Sequence, residues 1–230
     1  MPVEHLFSDS ASAAADIAAR IASILSAAIA DRDVAAIAVS GGRSPRPVLE
    51  ALSQTDLDWS KVVVTLVDER WVAPDSADSN ERLVRETLLQ GAAARARFVP
   101  MKNDAADAYA GQAACAADFA ALPWPLDIVL LGMGDDGHTA SLFPDGAELE
   151  EGLSSDARVI AATPPVAPHQ RMTLTAQAIL ASRHILLQIG GAGKTAVYNR
   201  ALAGGRVEEL PIRLALLQEE TPVEVWISAS

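Results

Sequence analysis

Of the four histidines in the 230 residues, only His138 follows a glycine-rich run, Gly132-Met133-Gly134-Asp135-Asp136-Gly137. An imidazole exchanges protons near neutral pH and serves as general acid or base. Three closely spaced glycines give the ring little packing from the side chains before it, and they fit a loop shaped to present it. A surface or helix-capping histidine is the alternative that this loop alone leaves open. His5, His169 and His184 have no such surroundings in the sequence and read as structural.

A second chemical segment is Ser40-Gly41-Gly42-Arg43-Ser44-Pro45. Its glycines expose backbone N–H groups, and the helix expected after it presents its positive end to an anion. Arg43 adds a two-pronged grip on phosphate or carboxylate. An ordinary turn with a surface arginine is the competing reading. Asp68, Glu69 and Arg70 form a third segment, either lining a pocket or making an ion-pair network. Trp71 beside them reads as packing, and Asn80 as a helix cap.

Two nucleotide motifs are imitated and rejected. Gly190 to Thr195, GGAGKT, lacks the first glycine of a P-loop, because Gln188 stands in that position. GMGDDG satisfies GxGxxG, but Asp135 and Asp136 would face a pyrophosphate. A carboxylate about 4 Å from such a charge costs on the order of 4 kcal/mol at an effective dielectric near 20. The glycines therefore shape a loop for His138.

These segments need elements to hold them. Val34 to Val39, Val62 to Val67 and Asp127 to Leu131 are short apolar runs expected to be buried strands. Further strands are expected at Arg97 to Pro100, Val159 to Ala162, Met172 to Thr175, Ile185 to Ile189 and Val223 to Ile227. Helices are expected at Ser10 to Ala30, Pro45 to Leu52, Asn80 to Leu89, Asp104 to Ala121, Ala192 to Ala203 and Ile212 to Leu217. The alternation predicts an α/β fold, a Rossmann-like mostly parallel sheet with helices on both faces. Residues 1–230 read as one domain, with Thr163 to Pro168 a rigid loop. Ligands of such sheets sit beyond the carboxyl ends of the strands. That rule gathers SGGRS, VDERW, GMGDDGH and GGAGK on one rim.

Composition bounds the partners. A formal charge of −12 argues against an extended nucleic-acid surface but leaves room for a small anion in a local basic nest. The single Cys115 excludes an internal disulfide and a cysteine-based zinc site, and it reads as a small core residue. No signal peptide is expected, nor any stretch apolar for long enough to span a bilayer, so the expectation is cytoplasmic with no membrane partner.

Taken together, AVSGGRSPRPVLEAL, VTLVDERWVAPDSADSNERLVRETLL, DIVLLGMGDDGHTASLFPD, RMTLT and GAGKTAV resemble the 6-phosphogluconolactonase family, in its order, from about Val39 to Val197. The resemblance implies a fold shared with glucosamine-6-phosphate deaminases and hydrolysis of 6-phosphoglucono-1,5-lactone without metal or organic cofactor. The partner is then a phosphorylated sugar lactone. Independently of the resemblance, the chain is expected to be a monomer or homodimer. His138 would activate water, Asp136 orient its ring, and Arg43 stabilise the oxyanion or grip substrate oxygen. Arg171 and Lys194 would hold the phosphate with the N–H groups of Gly41 and Gly42, while Asp68 and Arg70 line the pocket. Deaminases continue GHIAFNEP and use its glutamate, whose place is taken here by Phe143. A non-catalytic sugar-phosphate sensor is the other alternative. Such sensors carry a helix-turn-helix, for which a first strand at Val34 leaves little room ahead.

Overall fold

Val62–Leu66 and Ile128–Leu131 are buried at every position, as expected of strands covered on both faces. The computed structural model describes residues 2–229. Along the chain run β1 (Val3–Phe7), α1 (Ser10–Arg32), β2 (Ala35–Val39), α2 (Arg46–Ser53), β3 (Val62–Leu66) and β4 (Asp68–Arg70). Then come α3 (Asn80–Thr87), β5 (Arg97–Phe98), α4 (Ala108–Ala120), β6 (Ile128–Leu131) and α5 (Leu149–Ser154). The last third holds β7 (Val159–Ala162), β8 (Arg171–Leu174), α6 (Ala176–Leu180), β9 (His184–Gly190), α7 (Gly191–Leu202), α8 (Arg213–Leu216) and β10 (Val223–Ser228).

Seven strands form one sheet in the order β1-β10-β9-β6-β2-β3-β5, and every pairing in it is parallel. The mostly parallel α/β architecture expected from the sequence is therefore present. Three corrections apply. The first strand is β1 rather than the run at Val34, and it pairs with β10 along a sheet edge. The strands near Val159 and Met172 do not join the parallel sheet. They pair antiparallel as β7 and β8, with β4 on the outer side of β8. Finally, the 23-residue α1 is long and apolar enough, by length and composition, to cross a membrane, contrary to the expectation above. In the fold its Ile17, Ile21 and Leu25 have no exposed surface and pack into the core with β2 and β10.

β2 lies between β6 on one side and β3 on the other. The chain leaving β2 passes through α2 to β3, whereas the chain leaving β6 moves away toward β9. Loops that diverge in this way open a crevice at the carboxyl ends of the strands. Ser40, the residue after β2, ties the two ends together. Its Oγ donates to the Leu130 carbonyl at 2.8 Å and accepts from the Gly132 N–H at 3.1 Å.

Candidate active site

The crevice is a cleft of about 280 Å³, and all four rim segments line it. Gly41, Gly42 and Arg43 come from the loop after β2, and Asp68 and Arg70 from β4. His138 comes from the loop after β6, and Gln188 and Lys194 from β9 and the first turn of α7. Arg171, on β8 opposite Arg70, does not line the cleft.

The loop from Gly132 to Ser141 is held by its own backbone. Gly134 N–H donates to the His138 carbonyl at 2.9 Å and Gly137 N–H to the Gly134 carbonyl at 3.1 Å. Thr139 Oγ1 returns to the Gly132 carbonyl at 2.9 Å. Gly137 sits at φ +82°, where a side chain is strained. This tight turn brings Asp136 back on His138, with Oδ1 2.6 Å from Nδ1 and 3.1 Å from the His138 N–H. A carboxylate accepts, so the ring donates from Nδ1 and the neutral imidazole keeps its lone pair on Nε2. The ring also meets Phe143, with centroids 4.5 Å apart at 41°. The residue that occupies the deaminase glutamate position thus packs on the imidazole.

A second network anchors the opposite wall. Asp68 Oδ2 accepts from Ser141 Oγ at 2.6 Å, which ties β4 to the histidine loop. Asn80 does not cap α3; Ser79 does, accepting from Arg82 N–H. Asn80 instead donates from Nδ2 to the Asp68 carbonyl at 2.8 Å and accepts from Arg70 Nη1 at 2.7 Å. Its amide also fills the space over Gly41, where a Cβ would lie 1.8 Å from Asn80 Oδ1. A side chain at position 41 would displace the Asn80 amide from its bonds. Glu69 is buried beneath, accepting from the N–H groups of Arg70, Asn80 and Glu81 and from Ser79 Oγ. Burial pushes its carboxyl above the usual carboxylate range, while those N–H groups pull it down.

The cations differ in their commitments. Among the described residues, Arg43 and Lys194 have no ion pair or side-chain hydrogen bond, and both face the cleft. Arg171 is buried, with Nη1 unpartnered. Desolvation draws its guanidinium below the ordinary arginine range, Asp68 opposes that shift, and Arg70 adds to it. Cys115 is buried in α4 with its thiol pushed up to about 12 by desolvation, which fits a packing residue.

Sequence reasoning missed Gln188, Ser141 and the bridging part of Asn80. Gln188 breaks the P-loop pattern, yet it lines the cleft, and its Oε1 is buried without a partner. An unpaired buried acceptor is a cost to the folded protein, and the rest of the Gln188 amide is free to meet a ligand in the cleft. Gln188→Leu is therefore expected to hold or raise the melting temperature while lowering kcat/KM about tenfold, roughly one hydrogen bond. Thermal melting and steady-state kinetics on the same preparation check both signs.

The chain is similar to known proteins along nearly its whole length. Residues 8–226 match the family described as glucosamine-6-phosphate isomerases/6-phosphogluconolactonase. A Rhizobium meliloti protein named 6-phosphogluconolactonase is 43% identical over 224 residues, covering 96% of this chain and 97% of its own. One of the same name from Pseudomonas putida is 45% identical, covering 96% and 91%. The crystal structure of a 6-phosphogluconolactonase from Shewanella baltica aligns with a TM-score of 0.98 at 45% identity, covering 100% of this chain and 98% of that one.

Proposed function

The chain belongs to the family of glucosamine-6-phosphate isomerases and 6-phosphogluconolactonases, and from that premise we propose that it hydrolyses 6-phosphoglucono-1,5-lactone to 6-phosphogluconate. The observation that carries the choice is the His138–Asp136 pair with Phe143, not a carboxylate, against the imidazole. Lactone opening needs one base, one oxyanion partner and one returned proton. His138 and Arg43 are suited to these tasks, and Phe143 stands where the resemblance puts the deaminase glutamate.

In the proposed reaction His138 Nε2 takes a proton from water, and the oxygen attacks the lactone carbonyl carbon. Arg43 offsets the negative charge that develops on the carbonyl oxygen. The bond from that carbon to the ring oxygen then breaks, and the imidazolium returns its proton to the departing oxygen. Asp136 holds the ring in one tautomer throughout and steadies its positive charge. Lys194, with the N–H groups of Gly41 and Gly42, holds the phosphate; Asp68 and Arg70 orient the sugar. Arg171 adds its charge through the field rather than by contact. No step calls for a metal or an organic cofactor. The location proposed is cytoplasmic and the assembly a monomer or homodimer; the burial of Ile17, Ile21 and Leu25 makes α1 a core helix rather than a membrane span.

Incubation with freshly prepared 6-phosphogluconolactone, and separately with glucosamine 6-phosphate, tests the reading. Acid release above the spontaneous rate is expected with the first and no ammonia with the second; the reverse pattern overturns it. Lys194→Ala is expected to raise KM about tenfold or more, the worth of one hydrogen bond to a charged group, with kcat nearly unchanged. Loss of kcat at constant KM would remove Lys194 from phosphate binding.

A further inference from the structure

Beside the catalytic cleft lies a second pocket of about 190 Å³. The two share Gly42, Arg43, Arg70 and Asn80 in their walls, so they are contiguous. Four arginines line the second pocket, Arg43, Arg46, Arg70 and Arg82, against one acidic residue, Glu86. The whole chain carries −12, so this local excess runs opposite to the protein's own charge balance.

The donors there are mostly uncommitted. Glu86 takes Arg82 Nε at 2.7 Å but meets Arg46 Nη2 only at 3.8 Å. Arg46 has one other carboxylate, Glu50, at 3.5 Å. Arg82 spends Nη1 on the Asp75 carbonyl, and Arg70 spends Nη1 on Asn80 and the Asp78 carbonyl. Arg43 has no partner among the described residues. Four arginines around a small pocket outnumber its one carboxylate, and planar guanidinium forks match the oxygens of phosphate.

We infer that this annex is a second anion subsite, one that takes a phosphate or pyrophosphate group distinct from the phosphate at Lys194. The lactonase reading says what fills the cleft; binding in the annex depends only on the arginines. Because Arg43 and Arg70 serve both pockets, an anion in the annex draws their charge away from the cleft and slows turnover. The group has two sources, a free phosphate compound or the substrate's own phosphate on its way in.

The test is the double variant Arg46→Gln/Arg82→Gln. Both side chains are more than 40% exposed and lie outside the cleft walls, so folding and uninhibited kcat are expected to hold. Inorganic pyrophosphate is titrated calorimetrically into wild type and variant, and its inhibition constant is measured in each. Wild type is expected to bind one equivalent more than the variant, and the inhibition constant to rise about tenfold or more on losing two charged donors. A raised KM for the lactone in the same variant identifies the substrate's phosphate as the visitor, and an unchanged KM identifies a free anion. Equal stoichiometry and equal inhibition in the two proteins overturn the annex. Were the lactonase reading wrong, neither protein would turn over the lactone, while the calorimetry would still report on the annex.

Discussion

His138→Ala lowers lactone turnover by about two orders of magnitude or more, the usual worth of a general base, and leaves the fold in place. The ring is about one-third exposed, and the loop that carries it is held by hydrogen bonds of Gly134, Gly137 and Thr139, none of which uses the imidazole. What alanine removes is the Asp136 bond, the Phe143 contact and the Nε2 lone pair. The measurement is initial rate on fresh lactone with spontaneous hydrolysis subtracted, beside a melting curve. Near-normal rates from a folded variant would end the assignment of His138 as base. A collapse in melting temperature would instead make the ring a packing element, which its exposure argues against.

The parts of this site that were legible in the sequence are those written in a single run of residues. Val62–Leu66 and Ile128–Leu131 announce themselves because strands covered on both faces need no polar positions. The loops that follow then locate the rim, and the four rim segments do meet in one cleft. β1 was hidden because an edge strand tolerates exposed and charged residues, and Val3-Glu4-His5-Leu6-Phe7 has no clean period. β4 was hidden because Asp68-Glu69-Arg70 becomes a strand only by pairing with β8, a hundred residues on. The same blindness placed β7 and β8 in the wrong sheet, since β-branched composition marks a strand without naming its partner. Long-range side-chain contacts were equally out of reach. The fit of Asn80 over Gly41 joins residues that no local pattern connects.

Gly134→Ala is the sharper test of how the site is built. An ideal Cβ on Gly134 would lie 2.2 Å from His138 Nδ1 and 2.5 Å from Asp136 Oδ1. It would therefore occupy the line of the hydrogen bond that fixes the tautomer. The backbone at Gly134 is not in the left-handed region that favours glycine, so alanine costs little there beyond that clash. The cheapest relief is for the imidazole to swing away from Asp136, which surrenders the oriented Nε2 while the loop persists. Turnover is expected to fall about a hundredfold, as for an ångström-scale misplacement of a reacting group, with only a small change in melting temperature. Gly137→Ala is the contrast, because its φ of +82° and a Cβ 2.4 Å from Leu210 Cδ2 strain the backbone and the packing; it should lower stability as well as rate. If Gly134 acts through the histidine, the Gly134→Ala/His138→Ala double variant is no slower than His138→Ala alone, since residues acting as a unit are not additive. Full additivity, or wild-type turnover in Gly134→Ala, would mean that the His138–Asp136 bond does not set the rate.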